Sequence, residues 1–235
     1  MSTPPALVIA GPGTNRDRDL ALALELAGAD PTIVLADELV HHPHLLDDAR
    51  LLAVAGGFSY GDALGAGRML ALDLAVRLGD RLREYVASGR PVIGICNGFQ
   101  VLTRTKLLPG ALGHNAHGRF ECRWVVLEPK PSSRCIWTKG IEQPIHCPIA
   151  HGEGRYVHPD TASLAEAGQI ALTYRSTNPN GSVADIAGVC DPSGVPRSVN
   201  SLPAPALSRK VTNCSMSMRC VPSAVVICAT NRRMG

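Results

Sequence analysis

Short apolar segments alternate with helical patterns through the first 106 residues, and this alternation is the feature that most restricts the fold. Leu20, Leu24 and Ala27 recur at helical spacing, residues 64–86 are predicted to be mostly helical, and a further helix is predicted over about 98–106. Four apolar segments are typical of buried strands: Ala6–Ala10, Thr32–Ala36, Leu51–Ala55 and Pro91–Ile95. Their order predicts an α/β fold, in which a mostly parallel central sheet has helices on both faces.

The pattern changes after Pro109, where shorter strands follow one another with turns between them. These strands are predicted at Phe120–Leu127, Ile145–Ala150, Gln169–Tyr174 and Ile186–Cys190. A chain of 235 residues, 45% of them apolar, is long enough for one full core, and no linker divides it. We therefore predict one domain over residues 1–194, followed by an atypical basic tail over residues 195–235.

Composition narrows the location and the partners. No run of 18 apolar residues occurs and the N-terminus lacks a basic signal-peptide region, so we expect a cytoplasmic protein without membrane contact. The eight cysteines include no CxxC pair, which predicts reduced thiols and no metal site. The net charge of +3 arises from the tail, which holds six Lys or Arg and no acidic residue, so it indicates no nucleic-acid partner.

Three turns rich in glycine or reactive groups follow predicted strands. They are Gly11-Pro12-Gly13, Gly56-Gly57 and the turn around Cys96. Ligands of parallel α/β sheets bind at the carboxyl ends of the strands, where such turns meet. A helix is also predicted to begin near Thr14, because residues 14–17 match a common helix-capping pattern.

The segment Gly94-Ile95-Cys96-Asn97-Gly98 has the G-x-nucleophile-x-G layout of a nucleophile elbow, with a glycine two positions before and two positions after the cysteine. The helix that follows would direct its positive N-terminus at the thiol, which favours the reactive thiolate. A carbonyl attacked by Cys96 becomes an oxyanion, and backbone N–H groups of Asn97 and of Gly56 or Gly57 are the predicted donors. Taken alone, the pentapeptide is equally consistent with a buried, unreactive cysteine.

The segments GGFSYGD, GICNGFQVL and LLPGAL resemble, in this order, the glutaminase subunits of phosphoribosylformylglycinamidine synthase, which are class I glutamine amidotransferases. The opening GPGTNRDRD and the later PIAHGEGRY are similar to the same family. The resemblance covers about residues 6–194 and implies a flavodoxin-like, three-layer fold. Ala55, where a proline is expected, and residues 103–106 depart from the family pattern without removing a reacting group.

The resemblance implies that the cysteine attacks the side-chain amide of glutamine, releases ammonia and leaves a thioester that water hydrolyses. The ammonia would serve the ATP-dependent amidation of formylglycinamide ribonucleotide in purine biosynthesis. It implies glutamine as substrate, and as partners a synthetase subunit and a small accessory subunit. ATP and magnesium are expected on the synthetase, with no cofactor on this chain. The chain also lacks a G-x-x-x-x-G-K-[ST] phosphate loop.

The family's general base and the glutamate that orients it lie in a C-terminal His-Pro-Glu motif, which this chain lacks. No histidine follows His158 and no acidic residue follows Asp191. His151 is the substitute base that the motifs favour, although the matching histidine is not the base in the family. His158, followed by Pro159-Asp160, lies too early for the motif and is interpreted as part of a solvated turn.

Three hypotheses remain open from the sequence: an active glutaminase subunit, an inactive chain of the same family that still docks on its synthetase, and an unrelated hydrolase with the same elbow. The ordered GGFSYGD segment argues against the third. Residues from about Val195 onward break the family pattern and the composition, which suggests a shifted reading frame, or else a natural basic docking segment. Translation of the other two frames of the coding DNA beyond Gly194 separates these origins.

Overall fold

The computed structural model describes residues 3–191 and, as backbone only, a strand at Val225–Cys228. The strands are β1 Pro5–Ala10, β2 Asp30–Leu35, β3 Leu51–Val54, β4 Val92–Ile95, β5 Ala111–Gly113, β6 Glu121–Pro129, β7 Ile145–His151, β8 Arg155–Val157, β9 Ile170–Tyr174, β10 Ile186–Val189 and β11 Val225–Cys228. The helices are α1 Asp17–Leu26, α2 Ala36–His41, α3 Leu45–Asp48, α4 Arg68–Ala87, α5 Asn97–Arg104 and α6 Thr161–Glu166. Short 3-10 turns lie at Ser59–Asp62 and Val183–Asp185.

The central sheet has the strand order β11-β4-β3-β1-β2. Its pairs among β1 to β4 are parallel, whereas β11 runs antiparallel to β4. Although most of the edge strand β2 is exposed, both faces of β1, β3 and β4 are buried. Adjacent residues of β1 therefore enter different cores: Ala6 and Val8 pack on one side, Leu7 and Ile9 on the other. This explains why the strands are continuous apolar runs and do not alternate with polar residues.

Helices cover the central sheet on both faces, as the sequence predicts. Leu20 and Leu24 of α1 pack on the first face, and the long helix α4 packs Leu70 and Leu74 on the second, together with Phe99 of α5. A four-stranded antiparallel sheet, in the order β10-β9-β6-β7, contributes to the core on the side of α1. The predicted α/β class is confirmed, and the strands predicted after Pro109 form this second sheet.

Two local predictions require correction. The second strand ends at Leu35, because Ala36 already begins α2. Thr14 does not cap α1, which begins at Asp17 without a side-chain cap; its hydroxyl instead accepts a hydrogen bond from the N–H of Gly11 at 3.0 Å. Thr14 therefore closes the glycine turn after β1 and leaves the helix to start three residues later.

The boundary predicted between residues 194 and 195 lies outside the described residues. The tail contributes β11, whose Val225 pairs with Ile95 and whose Cys228 pairs with Val92. This strand lies beside β4, the strand that leads to Cys96. In the part of the chain that the structure describes, no helix is both long and apolar enough to cross a membrane.

Candidate active site

Cys96 occupies a sharp turn between the end of β4 and the start of α5. Its backbone has φ 56° and ψ −110°, a conformation that residues other than glycine rarely adopt. The turn is possible because glycines lie two residues before and two residues after Cys96. A Cβ on Gly98 would overlap the carbonyl oxygen of Val54, and one on Gly94 would lie 2.6 Å from the carbonyl oxygen of Gly98. The structure thus contains the strained elbow that the pentapeptide predicts.

The surroundings of Cys96 differ from those of the other described cysteines. Its side chain is half-buried and lines a solvent-accessible cleft, directly before the N-terminus of α5. Cys135 and Cys147 are buried in the core, where burial raises the pKa of the Cys147 thiol to about 12. Cys122 is exposed on β6 and is the relevant competitor for thiol reagents. Exposure and local potential therefore set Cys96 apart from the buried thiols.

Gly56 and Gly57 follow β3 and lie against the elbow. A Cβ on Gly56 would lie 3.4 Å from the Cβ of Cys96, so the backbone of Gly56 is in close contact with Cys96. Gly57 has φ +104°, and a Cβ there would overlap the side-chain oxygen of Asn15. Neither position has room for a larger residue without displacement of its neighbours. The backbones of both glycines thus lie beside the turn that carries the thiol.

A polar network that the sequence does not reveal lies under the elbow. Ser59 donates from its hydroxyl to the side-chain oxygen of Asn97 at 2.5 Å, and both residues are buried. The side-chain amide of Asn97 donates to Oδ1 of Asp62 at 3.0 Å and to Oε1 of Gln100 at 3.1 Å. Burial raises the pKa of the Asp62 carboxyl. This network joins the loop after β3 to the first turn of α5.

A second set of contacts closes one side of the cleft. Glu153 forms an ion pair with Arg104 at 3.0 Å, and its other carboxylate oxygen accepts from the N–H of Ala66 at 3.2 Å. Arg104 in turn donates from Nε to the carbonyl oxygen of Ala66 at 3.1 Å. The backbone carbonyl of Glu153 accepts a hydrogen bond from Gln100 at 2.8 Å. These bonds fix the segment before α4 against α5 and the loop after β7.

His151 lines the same cleft as Cys96, but its ring faces two side-chain amides. Nδ1 lies 3.2 Å from the side-chain oxygen of Asn115, and Nε2 lies 3.5 Å from the side-chain nitrogen of Asn180. The side-chain nitrogen of Asn115 donates hydrogen bonds to two backbone carbonyls, so its side-chain oxygen is the atom that accepts a proton from Nδ1 of His151. Burial lowers the pKa of His151. This geometry favours a neutral, structural histidine.

His158 lies away from the cleft, in the turn before α6. Its Nδ1 is 2.8 Å from the backbone oxygen of Asp160, and it accepts from the N–H of the same residue at 3.1 Å. The carboxylate of Asp160 caps α6 by accepting from the N–H of Ser163. The interpretation of this segment as an exposed turn is correct, and the structure explains it as a helix cap.

The cleft is small and partly open to solvent. It brings together the predicted Gly57, Cys96, Asn97 and His151, and Gly56 lies directly behind them. Several lining residues were not predicted from the sequence: Asn15, Arg16, Phe58, Asp62, Ala66, Gln100, Phe120 and Glu153. Some of them lie within the motifs quoted above, but nothing local assigns them a role. In the described part of the chain no cluster of three or more metal-ligating side chains occurs.

Comparison with known proteins agrees with this architecture. The family model of the CobB/CobQ-like glutamine amidotransferase domain matches residues 3–220. The phosphoribosylformylglycinamidine synthase subunit PurQ of Treponema denticola is 46% identical over 227 aligned residues, with 81% of this chain and 84% of the relative covered. The subunit of the same name from Dehalococcoides mccartyi is 40% identical over 211 residues, with 83% and 82% covered.

A solved structure supports the same relationship. The structure of PurLQS from Thermotoga maritima contains a chain that superposes with a TM-score of 0.69 at 35% sequence identity. The match covers 91% of this chain and 98% of that one. The likeness thus extends over nearly the whole of the solved chain, including the cleft.

Proposed function

This chain belongs to the CobB/CobQ-like glutamine amidotransferase family, and on that basis we propose that it is the glutaminase subunit of a phosphoribosylformylglycinamidine synthase. The observation that carries the proposal is the packing of the Cys96 elbow against Gly56. It places an accessible thiol, on a strained backbone turn, beside glycine backbone that can approach a ligand closely. The names of the two relatives supply the substrate context.

In the proposed reaction, the sulfur of Cys96 attacks the carboxamide carbon of glutamine. The carbonyl oxygen becomes an oxyanion, which the N–H of Asn97 and an N–H of Gly56 or Gly57 stabilise. The C–N bond then breaks, the nitrogen takes up a proton and leaves as ammonia, and a thioester remains on Cys96. Water attacks this thioester through a second oxyanion, which restores the thiol and yields glutamate.

The product ammonia would pass to a synthetase subunit that binds ATP and magnesium, and a small accessory subunit would complete the assembly. The PurLQS structure from Thermotoga maritima and the subunit names of the relatives support a multisubunit enzyme. We place the assembly in the cytoplasm, where a nucleophilic cysteine stays reduced. The predicted one-domain boundary at residue 194 is retained as part of this proposal.

A second candidate function is a chain that folds and docks but does not turn over. The specific observation in its favour is that the sequence has no histidine after His158, so the family's His-Pro-Glu motif has no counterpart. His151 replaces it poorly, because its ring faces Asn115 and Asn180. The oxyanion site and Cys96 would still accept an electrophile in such a chain.

Covalent labelling tests the proposal without requiring turnover. A chloroketone analogue of glutamine should modify Cys96 before the other cysteines, and Cys96→Ser should abolish this adduct in intact-mass and peptide mass spectra. Cys122→Ser is the matched control, because it removes an exposed thiol outside the cleft and should leave the labelling unchanged. Equal or faster labelling of another cysteine contradicts the proposal. Glutamate release, measured with and without the synthetase subunit and ATP, then separates the two candidates.

A further inference from the structure

The loop after Gly57 holds Asn97 through its side chain as well as through packing. Ser59 is 2% exposed and Asn97 is 3% exposed, so the 2.5 Å hydrogen bond between them is shielded from water. Asp62 accepts from the other end of the same amide at 3.0 Å. Buried hydrogen bonds hold a side chain in one orientation, because a buried polar group that loses its partner is left without a hydrogen bond and raises the free energy of the folded state.

The chemistry of these partners determines which way the Asn97 amide points. An ionised carboxylate only accepts hydrogen bonds, so Asp62 requires the amide nitrogen on its side. The amide oxygen of Asn97 must then face Ser59, whose hydroxyl can donate. Gln100 accepts a second proton of the same nitrogen at 3.1 Å. The two loop residues thus define a single orientation for the side chain that follows Cys96.

The loop that carries these groups is itself held in an unusual conformation. Tyr60, Gly61 and Asp62 all have positive φ, at 55°, 60° and 53°. Tyr60 anchors the loop, because its hydroxyl donates to Asp73 at 2.5 Å and its N–H donates to the carbonyl of Pro12 at 2.5 Å. Backbone held in sparsely populated regions persists only where neighbouring contacts determine it. The loop is therefore a fixed support beneath another strained residue, Cys96.

We propose that Ser59 and Asp62 are positioning residues for the oxyanion site: they anchor the side chain of Asn97 and thereby keep the peptide between Cys96 and Asn97 in its strained orientation. The N–H of that peptide is one of the two oxyanion donors in the proposed function, on which this inference rests. Neither Ser59 nor Asp62 needs to touch the reacting atoms. Loss of either anchor lets the turn relax and moves the donor away from the developing charge.

Two thiol reagents separate this role from a general effect on Cys96. The sulfur of Cys96 adds to the carbonyl carbon of the glutamine chloroketone and forms an oxyanion. The sulfur then displaces chloride from the adjacent methylene carbon, and its bond to the carbonyl carbon breaks as the ketone re-forms, which leaves a thioether. Iodoacetamide loses iodide to the same sulfur in one step and creates no oxyanion. Ser59→Ala should slow chloroketone labelling of Cys96 by about tenfold or more, because misplaced donors lose much of their effect. Iodoacetamide labelling should change by less than about twofold.

Matched variants complete the test. Ser133→Ala removes a hydrogen-bonded hydroxyl outside the cleft and should alter neither rate. Asp62→Ala should behave like Ser59→Ala, whereas Asp62→Asn, which keeps an acceptor oxygen, should recover most of the chloroketone rate. This second pair decides the question if Ser59→Ala does not fold. Equal slowing of both reagents, or no slowing of either, would overturn the positioning role.

A truncated chloroketone without the amino-acid end keeps this outcome distinct from failure of the proposed function. If wild-type Cys96 reacts as fast with the truncated reagent as with the glutamine reagent, the proposed glutamine site is wrong. The positioning role is still judged in that case, from the ratio of the truncated chloroketone rate to the iodoacetamide rate in each variant. A ratio that stays at its wild-type value in Ser59→Ala contradicts the inference.

Discussion

The two sides of the cleft differ in how completely they are equipped for chemistry. On the side of β3, β4 and α5, a strained thiol, two close glycine backbones and a buried hydrogen-bond network converge on one point. On the side of β7 and the loop after it, the histidine that lines the cleft is held by two asparagines and its pKa is lowered by burial. In the proposed function, the first side forms the covalent intermediate. The second side contributes, in the part of the chain that the structure describes, a histidine held in a structural role.

This difference shows that the parts of one active site can come from separate segments of the chain, so that one part can change while another is kept. Cys96 and the proposed oxyanion donors come from turns at the ends of the neighbouring parallel strands β3 and β4, so the sheet brings them together. The base of the related enzymes is expected from a C-terminal motif, which depends on the segment that this sequence replaces. A change after residue 194 therefore leaves the sequence of these turns unaltered, although it changes β11, the strand that pairs with β4.

The largest effect is expected when the family's C-terminal segment, with its His-Pro-Glu motif, is restored. A chimaera that carries the C-terminal segment of the Treponema denticola relative in place of residues 195–235 should release glutamate at least about 10³-fold faster than the present chain, because triad partners contribute several orders of magnitude. Glutamate is measured enzymatically, and the same chimaera with Cys96→Ala should stay inactive. A present chain that already matches the chimaera would show that His151 or another group serves as base.

A second prediction concerns how the side of the cleft formed by β3, β4 and α5 contributes to the stability of the fold. Gly98→Ala should lower the free energy of unfolding by about 3 kcal/mol, because the added methyl group would overlap the carbonyl oxygen of Val54. Gly113→Ala, where an added Cβ meets nothing within 4 Å, should change it by less than about 1 kcal/mol. Urea unfolding followed by circular dichroism measures both. Similar losses in the two variants would mean that the elbow tolerates a side chain.

The smallest effect is expected for His151, on the side of the cleft formed by β7 and the loop after it, and it is a dependence of the free energy of unfolding on pH. Burial lowers the pKa of His151, so the unfolded chain binds a proton more readily than the folded one. Stability should therefore fall as pH decreases through the ordinary pKa of histidine, about 6.5, towards the lower folded value. His151→Gln should reduce this dependence in denaturant titrations. His158→Gln, which alters a partly exposed ring outside the cleft, is the control and should retain this dependence.

Asp62 contributes in the opposite direction and at lower pH. Burial raises the pKa of its carboxyl, so the folded protein takes up this proton before the unfolded chain does. Comparison of His151→Gln with wild type at each pH cancels this contribution. A slope between pH 7 and 5 that is identical in wild type and His151→Gln would show that the ring is not held neutral.

Much of the fold was predictable because it depends on local patterns. The continuous apolar runs of β1, β3 and β4 identify strands buried on both faces, and the spacing in α4 identifies its packed side. Thr14 shows the limit of such patterns, because a hydroxyl that fits a helix cap instead closes the turn at Gly11. Which of two local partners a threonine bonds depends on where β1 places that turn.

The sequence by itself determined the elbow of Cys96, the two glycines after β3 and the membership of the chain in its family, since each is written in a contiguous segment with few conformations open to it. Only the tertiary structure decided that Ser59 and Asp62 would hold Asn97, and that Arg104 and Glu153 would together hold Ala66. It also decided that the side chains of Asn115 and Asn180 would contact the two ring nitrogens of His151. These contacts join residues about 29 to 87 positions apart, so they depend on how strands and helices pack and leave no trace in local spacing.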